Sequence, residues 1–466
     1  MLPILVRMCI NLPDTEVRLK NRYHRLVVSH LSVNHRVAAG IHLPATLGKL
    51  FAASQAAWRF YSNERVRLPQ LAGPLIECAR QGVAEACNDW VLVVMDWSNL
   101  HLKDHDTKED RVELAHSHDL GYELLTALAL SDRAGEPLAP LCLEMRAVNG
   151  VHSTRFDQPF EAPSVLDGLE PVMKHIGTLD LGKPAVFIID READSVGHYR
   201  QWSASNQQFL IRADDDRLVM YNLKEQTLGA VADGLKRQGR FVETTEVLFE
   251  GKPATQFVAE TTVVLHRPAR THRVDPKTGK AKHKNIAGIP LPMRVIISEV
   301  RDQRGEVLAR WLLLTNLPET VNAATAAFWY YWRWRIETYH KLLKGAGQQI
   351  ECWQQEKAEL FVRRLAVAAM ASVVVWRLAR EESPEAAEMR EVLVRLSGRQ
   401  MKRGKSARAF TEPALLAGLG VLIPMLELLL QYEVQELRDL VEATLPGVLS
   451  PLPSKTRPPG RGGGDV

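Results

Sequence analysis

The chain is poor in cysteine: Cys9, Cys78, Cys87, Cys142 and Cys352 are the only five in 466 residues, widely spaced and without a C-x-x-C pair. That pattern argues against a disulfide framework and a thiolate zinc site, and it fits a reducing compartment. The sequence also lacks a charge bias. Its 59 Lys and Arg barely exceed its 55 Asp and Glu, so a surface for a polyanion has to be built by local clustering. No Walker loop, Rossmann glycine fingerprint or H-E-x-x-H pair occurs, nor a signature of a serine or cysteine nucleophile. Long apolar runs are scarce. The opening MLPILVRMCINLP is too short for a secretory leader and has no cleavage pattern. Ala366 to Trp376 is too short to span a bilayer, and Ala414 to Tyr432 contains Pro424 and Glu427, so a buried or interface helix is expected there. The expectation is a soluble, cytoplasmic protein without a membrane partner. Internal repeats are also lacking.

What is present is an ordinary globular balance, 46% hydrophobic and 24% charged, long enough for about three domains. Residues 1–75 read as a basic helical module, a candidate for DNA binding, with RLKNRYHRLVVSHL and LGKLFAASQAAWRFYSNERV as its helices. A helix is expected after Pro74. Residues 76–380 alternate strand and helix patterns, the mark of a mixed α/β sheet covered by helices. WVLVVMD and PAVFIID are continuous apolar runs suited to strands buried on both faces, with ELLTALALSD and PLCLEMRAV as a meander between them. From about 215 to 310, alternating strands separated by turn-rich loops predict an antiparallel β insertion. Its basic loop RPARTHRVDPKTGKAKHK reads equally as a solvated hairpin or as a phosphate-tracking arm. Residues 381–450 are helical apart from the basic run GRQMKRGKSAR, and the Pro/Gly-rich tail 451–466 is expected to be disordered.

Both apolar runs end in an aspartate, Asp96 and Asp190. One carboxylate at a strand end is common as a cap. Two at the edge where α/β sheets carry their sites are a candidate cation or ligand site. In AAFWYYWRWRIETYHKLLKGAG, Tyr330, Arg333, Glu337, Lys341 and Lys344 are spaced by three, four, four and three residues, along one face of a helix. The plainer reading is a solvated face with Glu–Lys pairs. The sharper one is an acid that binds a cation, flanked by bases that hold phosphates. Three carboxylates without thiol or clustered imidazole suit Mg²⁺ or Mn²⁺, with two ions able to assist in-line attack on phosphorus.

Tyr330, Arg333, Glu337 and Lys344 spell Y-x2-R-x3-E-x6-K, and the helix around them resembles the signature helix of transposases of the insertion-sequence-four superfamily. DREAD (Asp190 to Asp194), WLLLTNLP (Trp311 to Pro318) and SQAAWRFYSNERV are similar to further motifs of that family, in the same order from about residue 17 to 380. The resemblance implies an RNase H-like catalytic core with an antiparallel β insertion, between helical N- and C-terminal domains. It implies Asp96, Asp190 and Glu337 as the catalytic, metal-binding triad for Mg²⁺ or Mn²⁺. Tyr330, Arg333, Lys341, Lys344, Arg191 and Arg212 would contact DNA, and Trp311 would stack on a base flipped out during hairpin formation. The activity implied is cut-and-paste transposition: a nucleoid-associated bacterial homodimer cleaves inverted-repeat ends and joins them to target DNA. The chain departs from the family pattern at Trp97, beside a retained Ser98, and in its hydrophobic first twenty residues. After Arg380 the similarity fades. The same triad would serve a metal-dependent nuclease without strand transfer, and the DNA-binding parts alone would serve a non-catalytic regulator. His101, His105, His116 and His118 form a further pattern, read as loop histidines or a zinc site.

Overall fold

The two apolar runs that end in aspartate form neighbouring parallel strands. In the computed structural model, which describes residues 12–32, 50–399 and 410–445 apart from 14, 117, 163 and 275–280, three helices come first. These are α1 (Val17–Leu31), α2 (Leu50–Tyr61) and α3 (Leu68–Ala86). The meander follows: β1 (Val91–His101), the short β2 (Val112–Glu113), β3 (Leu120–Ser131), β4 (Pro137–Ala147) and β5 (Gly150–Ser153). Then come α4 (Leu169–Gly177), β6 (Ala185–Ile189), α5 (Val196–Ala204) and β7 (Gln208–Ala213). Val91–Met95 run parallel to Ala185–Ile189, and β6 runs parallel to β7. β1, β3, β4 and β5 pair antiparallel in succession, as expected for the meander. Parallel neighbours need helical crossovers, and α4 and α5 lie in those connections.

The next stretch is antiparallel, as expected, and its strands join the main sheet. It comprises β8 (Leu218–Tyr221), β9 (Lys224–Thr227), α6 (Leu228–Arg237), β10 (Val242–Phe249), β11 (Lys252–Leu265), β12 (Ala269–Val274), β13 (Ala281–Ile286), β14 (Leu291–Arg301) and β15 (Val307–Thr315). β15 pairs antiparallel with β7, β14 with β15 and β11 with β14. The antiparallel strands therefore continue the main sheet, giving one 13-stranded mixed sheet with β12 and β13 as a separate hairpin. The physical reason is that β7 would otherwise be an exposed edge. A pairing between strands a hundred residues apart leaves no local sequence signal.

The helices after the sheet are α7 (Ala323–Tyr331), α8 (Trp334–Leu343), α9 (Ala358–Arg380), α10 (Pro384–Leu396), α11 (Glu412–Leu429) and α12 (Val434–Thr444). α9 packs on β4, α1 and α3. Every residue from Ala366 to Trp376 is buried, which explains that short apolar run. Contrary to the expected start after Pro74, α3 begins at Leu68 and carries Pro74 inside it, so it crosses the expected domain boundary. Among the described residues, α11 is the one helix long and apolar enough to cross a membrane, but it packs against α10 and α9. Residues 1–11 of the hydrophobic opening, the basic run 400–408, the tip of the β12–β13 hairpin and the tail 451–466 lie outside the described residues.

Candidate active site

β1 carries Asp96 just past its buried stretch, and β6 ends one residue before Asp190, so the parallel pairing sets the two carboxylates side by side. Asp190 also caps the turn Arg191–Ala193, accepting from the Arg191 amide at 2.7 Å. Glu337 comes from α8. The single helix expected around it is interrupted: at Trp332 and Arg333 the hydrogen bonds shorten to i→i+3, with Arg333 N donating to Tyr330 O at 3.0 Å and Arg335 N to Trp332 O at 2.9 Å. A fresh helix start at Trp334 puts Glu337 in a first turn, where the helix dipole favours a negative charge.

Arg333 is the hub. One guanidinium nitrogen, Nη2, lies 2.9 Å from Glu337 Oε1 and 3.2 Å from Asp190 Oδ2, and Nη1 lies 3.6 Å from Asp96 Oδ2. The residue is only 5% exposed. Trp334 stacks beside it, with its ring centroid 5.3 Å from the guanidinium carbon. Asp190 takes two further contacts, the Tyr330 hydroxyl at 3.0 Å and Arg212 Nη1 at 3.5 Å. Burial pushes the Asp96 carboxyl up to about 6; Arg333 and the Trp97 amide oppose that rise, while Glu192 and Glu337 add to it. Burial also acts to raise Asp190, but there Arg333, the Arg191 amide, Arg212 and Tyr330 outweigh it and hold the carboxyl below the usual range.

All three sequence-predicted carboxylates are therefore brought together, around a guanidinium. Among the described residues no group of three or more His, Cys, Asp or Glu side chains is gathered closely enough to hold a metal ion by itself. The donor set nevertheless fits a hard dication: three oxygen ligands already share one cationic position, and the burial of Asp96 leaves its charge incompletely offset. No family model matches the sequence.

The residues expected to grip DNA divide into two groups. Lys341 is exposed, Arg191 is largely so at 3.9 Å from Asp214, and Arg212 is partly exposed on the rim. Tyr330, Arg333 and Lys344 turn inward instead. Lys344 donates to Asn99 O at 2.6 Å and lies 3.6 Å from Glu351. Trp311 is not the open stacking platform expected of it: only 6% exposed, its ring packs beside Tyr330 at 5.8 Å between centroids. Next to a cluster of carboxylates, a cation gains more by pairing than by staying hydrated, and an aromatic ring on a central strand is buried with its sheet.

Several participants escaped the sequence reading. Glu351 accepts from the His101 amide and pairs with Lys344. Glu192, visible within DREAD, adds its field to Asp96. Asp194 of the same motif is a brace, accepting from the Tyr199 hydroxyl at 2.9 Å, the Asp214 amide at 2.9 Å and Arg217 Nε at 3.1 Å. Trp97 points away from Asp96 along the alternating strand and lines a shallow pocket with Glu123, Arg146 and Val165. The zinc pattern dissolves: His101 engages Asp119, His105 engages Glu351 O, and His116 and His118 are exposed.

Proposed function

We propose that the protein is a cut-and-paste DNA transposase with an RNase H-like core, in which Asp96, Asp190 and Glu337 are the catalytic carboxylates. The observation that carries this reading is the convergence of those three side chains, from two parallel strands and one helix, on a single cationic position. The antiparallel meander leading into two parallel crossovers supports the core assignment, and the Tyr-Arg-Glu-Lys spacing supports the family. Asp96, Asp190 and Glu337 would hold Mg²⁺ or Mn²⁺, which would supply Lewis-acid catalysis of in-line attack at phosphorus. Tyr330 and the Arg191 amide orient Asp190. Arg191, Arg212 and Lys341 offer cations at the rim, placed to hold phosphates on either side of the scissile bond. In each step an oxygen of water or of a 3′-hydroxyl forms a bond to phosphorus, its proton is released, and the bond to the departing oxygen breaks. A homodimer would be supported by the apolar side chains left exposed on α11, α12 and their connection, Leu429, Leu430, Val434 and Leu440 among them.

The test uses duplex DNA from the sequence flanking the gene, where this reading expects inverted repeats. Divalent-metal-dependent cleavage at the repeats, followed by joining to a second duplex, is expected, with both lost in Asp96→Asn, Asp190→Asn and Glu337→Gln. Cleavage without joining would identify a nuclease; normal cleavage by Glu337→Gln would remove the triad assignment.

A further inference from the structure

The guanidinium of Arg333 stands where three carboxylates could hold a divalent ion, and it is less well satisfied than its position implies. Its Nε is buried and has no hydrogen-bond partner among the described residues. Nη2 is shared between two carboxylates, and the contact to Asp96 is long at 3.6 Å. A planar fork fits one carboxylate side-on; here it is spread over three. On one side lies Trp334, 48% exposed, whose ring offers a cation a face between the buried cluster and solvent.

We propose that Arg333 is a resident counter-cation that holds the carboxylate cluster closed in the DNA-free protein, and that a phosphodiester draws it out past Trp334 as divalent ions load. This rests on the metal-site reading above. The argument is one of exclusive occupancy. The Asp190 and Glu337 oxygens that would ligate an ion are those that Arg333 now occupies, and two cations cannot share them without strong repulsion. Emptying the position without a replacement leaves three half-buried carboxylates facing one another, which is also costly. A phosphate brought to the rim by Arg191, Arg212 and Lys341 offers the guanidinium an equivalent bidentate partner. DNA binding and ion binding are then linked, and each must strengthen the other by the same factor. The arrangement keeps a DNA-cutting centre poorly loaded until DNA is present.

The test is calorimetric titration of Mn²⁺ into the full-length, DNA-free protein. Arg333→Gln is expected to bind Mn²⁺ at least tenfold more tightly than the parent chain, and its melting temperature, lowered without metal, should rise more on Mn²⁺ addition. Asp190→Asn should bind more weakly than the parent. If Asp190→Asn binds as the parent does, the metal-site reading fails. If Asp190→Asn weakens binding but Arg333→Gln gains nothing, the counter-cation fails alone. Should Arg333→Gln not fold, the unmodified chain decides: a duplex oligonucleotide of arbitrary sequence should tighten its Mn²⁺ binding at least tenfold, and an unchanged affinity overturns the proposal.

Discussion

The hydroxyl of Tyr330 donates to Asp190 Oδ1 across 3.0 Å, tying the end of α7 to the end of β6. It is one of four groups that keep Asp190 ionised against the effect of burial. Because the folded-state pKa is depressed, this stabilisation is present above the unfolded value and is lost as pH falls through the folded one. Tyr330→Phe removes one hydrogen bond to a charged acceptor. The acid limb of the cleavage–pH profile should move up by about 1 pH unit. A limb that stays in place would show that the hydroxyl does not act through Asp190.

Asp190 and Asp194 sit four residues apart and should behave oppositely. Asp194 has a side chain only 4% exposed and holds Arg217, Tyr199 and the Asp214 amide. Asp194→Ala should cost roughly 3 kcal/mol in denaturant unfolding, the range for breaking a buried pair. Asp190→Ala should abolish cleavage while costing less, since its carboxylate is more exposed, at 28% against 4%, and Arg333 keeps Glu337 and Asp96 as partners. Equal stability losses in the two variants would contradict this division of the motif.

His30 is fully buried, with Nδ1 2.7 Å from Gln348 Oε1, and it joins α1 to the segment after the Glu337 helix. Burial, then the charge of Arg364, lowers its pKa to about 3 against the Gln348 hydrogen bond, and burial also lowers His340 to about 3. The unfolded chain takes up these protons near pH 6.5, so stability is lost as pH falls from there towards 3, at about 1.4 kcal/mol per pH unit for each group. His30→Asn should be less stable at pH 7 yet show a shallower decline in urea midpoint between pH 6 and 4. An unchanged slope would mean that His30 does not titrate this way.

Gly135 has φ +65°, and a Cβ there would lie 2.3 Å from the Trp332 ring, at the point where the signature helix is interrupted. Gly135→Ala should cost roughly 2–4 kcal/mol and reduce cleavage by displacing Trp332 and its neighbour Arg333. At Gly305, φ +84° but with open space, the same substitution should cost only about 1–2 kcal/mol and leave cleavage intact. Thermal unfolding of both, with cleavage rates, separates backbone strain from the clash.

Asp96 and Asp190 were legible in the sequence as a pair: one carboxylate ending an apolar run is a common cap, but two such runs, one of them leading into DREAD, pointed to one sheet edge. Glu337 was legible because helical spacing lines up its neighbours. The inward turn of Arg333 was not, since spacing states which face a residue occupies but not which charge it meets across the fold. The union of β15 with β7 and the burial of Trp311 depend on distant pairings that leave no trace in local pattern. The interruption at Trp332 and Arg333 has no glycine or proline to announce it.

The burial of α9 carries a consequence for biosynthesis. α1 closes its core against α9 and against Gln348, 318 positions downstream of His30. As the chain leaves the ribosome, its first helices therefore emerge long before the surface that covers them, with Tyr23, Leu26 and Val27 still without a core. A chain arrested before residue 358 would present that apolar stripe to chaperones or to other nascent chains.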